Sequence, residues 1–234
     1  MNGEELASAG FEVEPEAYAR LARFVELLLR ENQRLNLTAI RDADEVWRLH
    51  VCESLALLPL LDESGARRLL DLGTGGGIPG IPLACVCDDL RVTLLDATRK
   101  KLDAVGRIVA KLELSGVETV WGRAETLAHD QAYREQFDVV TARAVAKLPT
   151  LVEYAAGFVQ PGGQCWFAKS LDAAAREVEE ASRPADQCVL RHVKTHRFRL
   201  PGEHGERAVV VYEKRGPLRK NLPRSLGRPR RTPL

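Results

Sequence analysis

The sequence predicts an α/β fold: a mostly parallel, seven-stranded sheet with helices on both faces and an N-terminal helical extension. From residue 67 onward, short apolar runs of strand length alternate with stretches of helical periodicity, a pattern typical of parallel sheets. The last two apolar runs have no helical stretch between them, which indicates a hairpin and therefore an antiparallel strand. The chain before residue 67 shows only helical periodicity.

Each element has its own signal. Leu21, Phe24, Val25 and Leu28 recur at helical spacing, which predicts a helix over 15–34. A second helix is predicted over about 43–60, ending near Pro59. Strands are predicted at 67–72, 91–96, 116–121, 137–142, 164–169, 189–200 and 207–213, and the intervening helices at 79–87, 98–114, 124–135, 147–158 and 171–183.

These elements predict three regions: an N-terminal helical extension (1–62), an α/β domain (63–213) that we expect to be the catalytic domain, and a basic C-terminal tail (214–234). A chain of 234 residues with 45% hydrophobic and 29% charged residues is typical of a globular protein. The chain has no apolar run long enough to span a membrane and no N-terminal signal pattern. Five cysteines without a framework spacing indicate free thiols, so we expect a cytoplasmic protein.

The charge is unevenly distributed. Residues 214–234 hold eight basic side chains and no acid, whereas the rest of the chain holds 26 basic and 33 acidic ones. A basic tail on an acidic body favours a polyanionic partner, although a solvated tail without a partner is the alternative. Its four prolines favour an extended conformation over a helix, and because it follows the last strand we expect it to lie apart from the cleft described next.

A glycine-rich turn is the strongest local signal. The segment 69–80 reads as a buried strand, a glycine turn and a helix start. Ligands of open α/β sheets sit at the carboxyl ends of the strands, so we expect Gly73, Gly75 and Gly77 to line a cofactor cleft. Gly75 to Gly80 matches the dinucleotide fingerprint, while Asp71 to Gly77 resembles motif I of S-adenosylmethionine-dependent methyltransferases. That resemblance implies a class I, Rossmann-like methyltransferase fold.

Polar side chains at the next strand ends have two interpretations each. Asp96 could accept hydrogen bonds from ribose hydroxyls or cap the following helix. Asp71 could contact the cofactor or fix the glycine turn. Glu125 could bind the adenine amino group or favour the first turn of a helix. Arg143 could point into the cleft or lie on the surface.

Motifs that the sequence lacks exclude some kinds of methyl-accepting atom. No Asn/Asp-Pro-Pro-aromatic segment or Pro-Cys pair follows the fourth strand, and no histidine spacing predicts a metal site. An acceptor with a free lone pair, such as a ring nitrogen, therefore fits best. A ribose hydroxyl remains an alternative, with Lys169 and Glu213 as conceivable bases. We expect no metal, and no catalytic acid or base is assigned.

Further motifs extend this resemblance to most of the chain. Residues 32–38, 48–55, 71–82, 94–97 and 141–146, with the tail 223–234, are together similar to the RsmG (GidB) family of small-subunit rRNA methyltransferases. The family usually has Asp where this chain has Glu53, which leaves the role of Glu53 open. The resemblance implies S-adenosylmethionine-dependent methylation of N7 of one guanine in 16S rRNA. It implies cofactor contacts from Gly73, Ile78, Asp96, Ala97, Thr98, Ala124, Glu125 and Arg143.

We expect 16S rRNA or the small ribosomal subunit as partner, no membrane association and a monomer. The tail residues Arg219, Lys220, Arg224, Arg228, Arg230 and Arg231 are candidates for binding RNA phosphates, which position a complex without specifying sequence. Two other classes remain open: a nicotinamide-dependent oxidoreductase, which would use the Gly75–Gly80 match, and a non-catalytic RNA-binding protein, which would need no glycine turn.

Overall fold

The protein is built around a seven-stranded sheet in the order β3-β2-β1-β4-β5-β7-β6. A computed structural model describes residues 1–202 and 206–234; His204 lies outside the described residues. The strands are β1 Arg68–Leu72, β2 Arg91–Asp96, β3 Val117–Trp121, β4 Phe137–Arg143, β5 Val159–Ser170, β6 Leu190–Arg199 and β7 Glu206–Lys214. The first five pair in parallel, and β7 pairs antiparallel with both β5 and β6. This confirms the predicted mostly parallel sheet with a closing hairpin.

Helices cover both faces of the sheet. The helices before it are α1 Gly3–Ser8, α2 Pro15–Asn32, α3 Ala43–Val46, α4 Cys52–Leu55 and α5 Leu58–Ser64. Those that follow are α6 Gly80–Val86, α7 Arg99–Lys111, α8 Ala124–Leu127, α9 Leu148–Ala156, α10 Leu171–Glu180, α11 Ser182–Gln187 and α12 Arg228–Arg231.

The predicted helix over 43–60 is wrong as a single element. A π-helical turn, Trp47–Val51, separates α3 from α4. Within it the Leu49 carbonyl accepts a hydrogen bond from Arg143, a residue 94 positions away in the sequence. Pro59 lies in the first turn of α5 rather than ending a helix, a position where the missing N–H costs nothing.

Two other element lengths differ from the predictions. The predicted helix 124–135 ends at Leu127, because the Asp130 side chain accepts a hydrogen bond from the Ala132 amide and forms a local turn instead. β5 begins earlier than predicted, at Val159, and its pairing with β4 shifts register between Phe137 and Val139.

Alternating strand residues divide the core between the two faces. Leu69 belongs to the cluster that includes the apolar side of α2 and of α6, whereas Leu70 belongs to the cluster under α9. The N-terminal helices therefore pack directly on one face of the sheet and hold residues 33–57 above its carboxyl edge. The division into 1–62, 63–213 and 214–234 stays a prediction; α5 and β7 both extend across its boundaries.

The C-terminal tail packs against the protein, contrary to the expected extended conformation. Leu218 and Leu222 are buried in the cluster under α9, and Pro229 lies in the first turn of the short helix α12. The Arg134 guanidinium donates to the Leu218 and Leu222 carbonyls at 3.2 and 2.9 Å. These long-range contacts override the weak local preference of the prolines. Among the described residues, no helix is long and apolar enough to cross a membrane.

Candidate functional site

The glycine turn after β1 is fixed from below by a buried acid. Asp71 Oδ2 accepts hydrogen bonds from Thr74 Oγ1 (2.7 Å) and from the Gly80 amide (3.0 Å), so it ties the turn to the start of α6. Asp71 is fully buried, and burial raises its pKa to about 6. Of its two predicted roles, these contacts support fixing the turn.

Gly73 and Gly75 both have positive φ and line the larger cavity, but only Gly75 has open space beside it. Gly73 has a φ of +73°, and a Cβ there would lie 2.5 Å from Val145 Cγ2. Gly75 has a φ of +58°, and a Cβ there would meet only carbonyl oxygens at 3.9 Å. Gly77 differs: its Cβ would collide with Ile81 at 2.4 Å, so its lack of a side chain serves helix packing. Gly77 is not among the residues that line the two cavities described below, and its contact with the cofactor stays a prediction.

Asp96 links the ends of β1 and β2. Its Oδ2 accepts from the Gly75 amide at 3.0 Å and its Oδ1 from the Thr98 amide at 2.7 Å. Thr98, not Asp96, is the N-cap residue of α7, and it makes no side-chain capping bond. The carboxylate thus holds the two loops at a fixed separation and keeps its remaining lone pairs available at the cleft.

Two adjoining cavities open along this edge of the sheet. The larger, of about 740 Å³, is lined by the glycine turn, Ile78, Asp96, Thr98, Arg143 and, from the N-terminal region, Thr38 and His50. The smaller, of about 340 Å³, is lined by Ala124, Glu125, Tyr154 and the tail residues Leu226, Gly227, Arg230 and Arg231. Both are lined by Gly73, Ala97, Val145 and Arg230.

The tail is part of the smaller cavity. Glu125 is buried, and its Oε1 accepts from the Gly227 amide at 2.8 Å and from the Tyr154 hydroxyl at 3.3 Å. The expectation that the tail lies apart from the cleft is therefore wrong. Leu218 and Leu222 pack in the hydrophobic core and so bring the tail back to the edge of the sheet. The charge pattern of the tail gave no indication of this packing.

The six tail cations differ in their surroundings. Arg224 forms an ion pair with Glu153 at 2.6 Å, and Glu153 is fully buried, so this arginine already has an internal partner. Arg219, Lys220, Arg228, Arg230 and Arg231 are exposed. Their contact with RNA stays a prediction, and Arg224 is the least suited of the six to it.

Arg143 connects the sheet to the N-terminal region. Its guanidinium contacts the Leu49 carbonyl (2.9 Å), His50 Nδ1 (2.6 Å) and Glu53 Oε2 (2.9 Å). Glu53 thus acts as the counter-ion of Arg143, although burial raises its pKa. Burial and the nearby guanidinium lower the pKa of His50 to about 4, so the imidazole is neutral. The sequence singled out Arg143 but not His50 or Thr38, although both lie in the segments that carry the family resemblance.

The two cavities suit an extended nucleoside with a charged side chain. Asp96, the acid that ends β2, retains acceptor capacity, and Glu125 Oε2 has no partner among the described residues. Those features match a ribose and an exocyclic amine. In residues 1–202 and 206–234, no group of His, Cys, Asp and Glu could hold a metal ion.

This fold and site define a class I S-adenosylmethionine-dependent methyltransferase. An O-methyltransferase from Bacillus cereus, solved with S-adenosylhomocysteine, superposes with a TM-score of 0.58 at 17% identity, covering 91% of this chain and 96% of that one. The O-methyltransferase TomG from Streptomyces achromogenes, solved with S-adenosylmethionine, gives 0.58 at 21% identity, covering 92% and 100%. At such identities the likeness concerns the fold.

The sequence identifies the family. The model of GidB, rRNA small subunit methyltransferase G, matches residues 17–206. Ribosomal RNA small subunit methyltransferase G of Moorella thermoacetica is 38% identical, covering 96% of this chain and 93% of that protein. The Carboxydothermus hydrogenoformans enzyme is 36% identical, covering 97% and 96%. The chain belongs to this family and is an S-adenosylmethionine-dependent rRNA methyltransferase. The oxidoreductase and the non-catalytic alternatives are therefore wrong.

Proposed function

We propose that this protein transfers the methyl group of S-adenosylmethionine to N7 of one guanine in 16S rRNA. Family membership gives the reaction class and the RNA. The observation that supports N7 is the lack of a free carboxylate or imidazole base at the larger cavity, within the part of the chain that the structure describes. Guanine N7 carries a lone pair and no proton, and it is an exposed acceptor of the base, so its methylation requires none.

The imidazole and the carboxylates in and next to the larger cavity are already engaged or buried. His50 is neutral and both ring nitrogens are engaged. Glu53 pairs with Arg143, and both Asp96 oxygens accept backbone amides. Asp71 is fully buried below the turn. None is placed to remove a proton from an acceptor in the larger cavity.

The two bases considered for a ribose hydroxyl are also occupied. Lys169 donates to the Ala146 carbonyl and pairs with Glu177, both at 2.8 Å. Glu213 pairs with Arg215 at 2.7 Å and with Arg191 at 3.7 Å. Methylation of a ribose hydroxyl would need one of them to leave its partner, so this alternative has no structural support.

The residues of this chain act by binding and orientation. The bound cofactor supplies a methyl group on a positively charged sulfur. Asp96 would bind the ribose, Glu125 the adenine amine, and Gly73, Gly75, Ile78, Ala97, Thr98 and Ala124 would form the walls. Holding a neutral nucleophile in line with that methyl group and excluding water accounts for most of the expected acceleration. Accordingly, no single side chain should be indispensable as an acid or base.

The exposed tail cations would hold the rRNA backbone beside the cleft. Arg230 and Arg231 line the smaller cavity while their neighbour Arg228 is exposed, so phosphates bound here would lie next to the transferred methyl group. Phosphate contacts position the RNA, and recognition of a guanine in RNA favours a base displaced from a helix. The target guanine should then lie in a non-helical region.

The experiment is transfer of a tritiated methyl group to small subunits from cells that lack this activity. Chain cleavage specific for N7-methylguanine should appear at one position of 16S rRNA, with the label in a nucleoside that mass spectrometry identifies as 7-methylguanosine. Label in a 2′-O-methylated nucleoside would contradict the proposal. The matched control is Gly162→Ala, remote from the cleft, which should leave the label at the same position.

A further inference from the structure

The Thr38 hydroxyl occupies a distinctive position in the larger cavity. Its Oγ1 lies 2.7 Å from His50 Nε2 and accepts a hydrogen bond from the Ile40 amide at 3.1 Å. Thr38 is partly exposed and lines the cavity together with the glycine turn. Which of its neighbours donates, and therefore where its own proton points, depends on the tautomer of His50.

Arg143 decides that tautomer. Its Nη2 lies 2.6 Å from His50 Nδ1, and a guanidinium has donors only. Nδ1 must therefore accept, although the Leu49 carbonyl at 3.0 Å would by itself favour a proton there. That carbonyl instead accepts from Arg143 Nη1. The single proton of the neutral imidazole is left on Nε2, which donates to Thr38 Oγ1.

The Thr38 hydroxyl consequently has both lone pairs occupied and one proton to donate. No acceptor for that proton exists among residues 1–202 and 206–234. Two other residues that line the cavity, Ala39 and Gly76, have backbone amides with no acceptor within the described chain. Three donors without an acceptor thus belong to residues that line one cavity.

The segment that carries Thr38 and Ala39 lies against the glycine turn. A Cβ at Gly75 would lie 3.9 Å from the Leu37 carbonyl oxygen, and one at Gly76 would lie 3.6 Å from Leu37 Cβ. Residues 37–39 therefore rest on the turn. The cavity is also lined by two cations, Lys101 and Arg230, and by one carboxylate, Asp96, whereas the charge of Arg143 is balanced by Glu53. Several hydrogen-bond donors beside Lys101 and Arg230 fit an anion with several lone pairs, a carboxylate.

We propose that the Thr38 hydroxyl, with the amides of Ala39 and Gly76, binds the carboxylate of the methionine part of S-adenosylmethionine. His50 is a positioning residue: held by Arg143, it orients the Thr38 proton into the cavity. This assignment depends on the cofactor and not on which RNA atom is methylated. It gives a role to the segment around Thr38 and His50, which the predicted cofactor contacts left out.

The test is a cycle of two proteins and two ligands, measured by calorimetry without RNA. The ligands are S-adenosylmethionine and its decarboxylated analogue, and the variant is Thr38→Val, which has the same shape but no hydroxyl. Thr38→Val should weaken S-adenosylmethionine about tenfold or more, the effect of a hydrogen bond to a charged group. It should change the affinity for the decarboxylated analogue less than about twofold. Thr38→Ser, which keeps the hydroxyl, should restore most of the difference.

His50 is tested in the same cycle. His50→Leu should cause the same selective loss, and the double variant Thr38→Val/His50→Leu should lose no more than Thr38→Val alone, because His50 acts through Thr38. Thermal unfolding of each variant checks that it is folded. Equal losses for both ligands would overturn the proposal. So would unchanged S-adenosylmethionine affinity with lost rRNA methylation, since the hydroxyl would then serve the target base.

Discussion

The Gly227 amide donates a 2.8 Å hydrogen bond to Glu125 Oε1, so the C-terminal tail forms one wall of the cavity at the ends of β2 and β3. Glu125 and Gly227 are 102 residues apart in the chain. The bond occupies one carboxylate oxygen and leaves Oε2 for a ligand. A segment proposed to contact rRNA is thereby joined to the candidate cofactor site.

Truncation after Arg224 should therefore weaken cofactor binding. It removes Gly227, Arg230 and Arg231 but keeps the Arg224–Glu153 pair and the packing of Leu222. We expect S-adenosylmethionine affinity to fall about tenfold. This corresponds to the loss of one or two hydrogen bonds and of the chain segment that shields them from water. Calorimetry without RNA measures it. Full affinity in a folded truncated protein would show that the tail does not form part of the site.

Gly75→Ala should separate cofactor binding from stability. The backbone at Gly75 has a φ of +58°, and a Cβ there enters open space in the larger cavity. The left-handed conformation should cost about 1–2 kcal/mol, and the methyl group should remove most S-adenosylmethionine binding. Gly162→Ala is the matched control: its φ is +84° and nothing lies within 4 Å, so it should cost similar stability and leave binding intact. Equal binding in the two variants would contradict this.

Asp96→Ala should weaken S-adenosylmethionine by about 1.5–3 kcal/mol, the size of a hydrogen bond to a charged group. It should also lower the melting temperature, because the Gly75 and Thr98 amides lose their acceptor. Asp96→Asn keeps one carbonyl oxygen and should fall between the wild type and Asp96→Ala. Unchanged calorimetric affinity in Asp96→Ala would exclude a ribose contact.

The triple variant Arg219→Gln, Lys220→Gln and Arg228→Gln tests the RNA contacts without touching the cavities. RNA affinity should fall about tenfold, and the slope of log affinity against log salt should decrease by about 0.7–0.9 per lost contact. S-adenosylmethionine affinity should not change. An unaltered affinity and slope would refute phosphate binding by these residues.

Arg224→Gln is its structural counterpart and should act on stability instead. Glu153 is fully buried, and Arg224 donates to both of its oxygens. Removing the cation leaves a buried carboxylate unpaired, which should cost about 3 kcal/mol of unfolding free energy. Chemical denaturation measures this cost.

The titration of His50 should be shifted to acid. Burial and Arg143 lower its pKa from 6.5 to about 4. Between these values the folded protein binds fewer protons than the unfolded chain, so the stability from this group is complete above pH 6.5 and is lost as the pH falls towards 4. Asp71, whose pKa is raised to about 6, acts in the opposite direction.

Because the two groups oppose each other, the imidazole must be observed directly. Nitrogen NMR, with His50→Gln to assign the signal, should show a neutral ring protonated at Nε2 down to about pH 4. A signal that titrates near 6.5, or a proton on Nδ1, would contradict the geometry with Arg143.

Much of the fold was predictable because its signals are local. The apolar runs that became β1, β2 and β4 are buried and bounded by turn residues, and the glycines after β1 have the positive φ that only such residues adopt readily. The division of 43–64 into short helices was not predictable. The π-helical turn within it contains the Leu49 carbonyl, which binds Arg143 on β4, 94 residues away in the sequence. The short α8 has a similar cause in the turn at Asp130.

The sequence by itself determined the alternation of strands and helices, the glycine turn and the acids that end β1 and β2, because hydrophobic periodicity and backbone conformation depend on neighbouring residues. Only the tertiary structure decided that Arg224 pairs with Glu153 and that the Gly227 amide donates to Glu125. It also decided that Thr38, His50 and Arg143 form one chain of hydrogen bonds. These partners lie 12 to 102 residues apart. The charges in the sequence show that the tail is basic, whereas the burial of Leu218 and Leu222 decides which part of the protein the tail packs against.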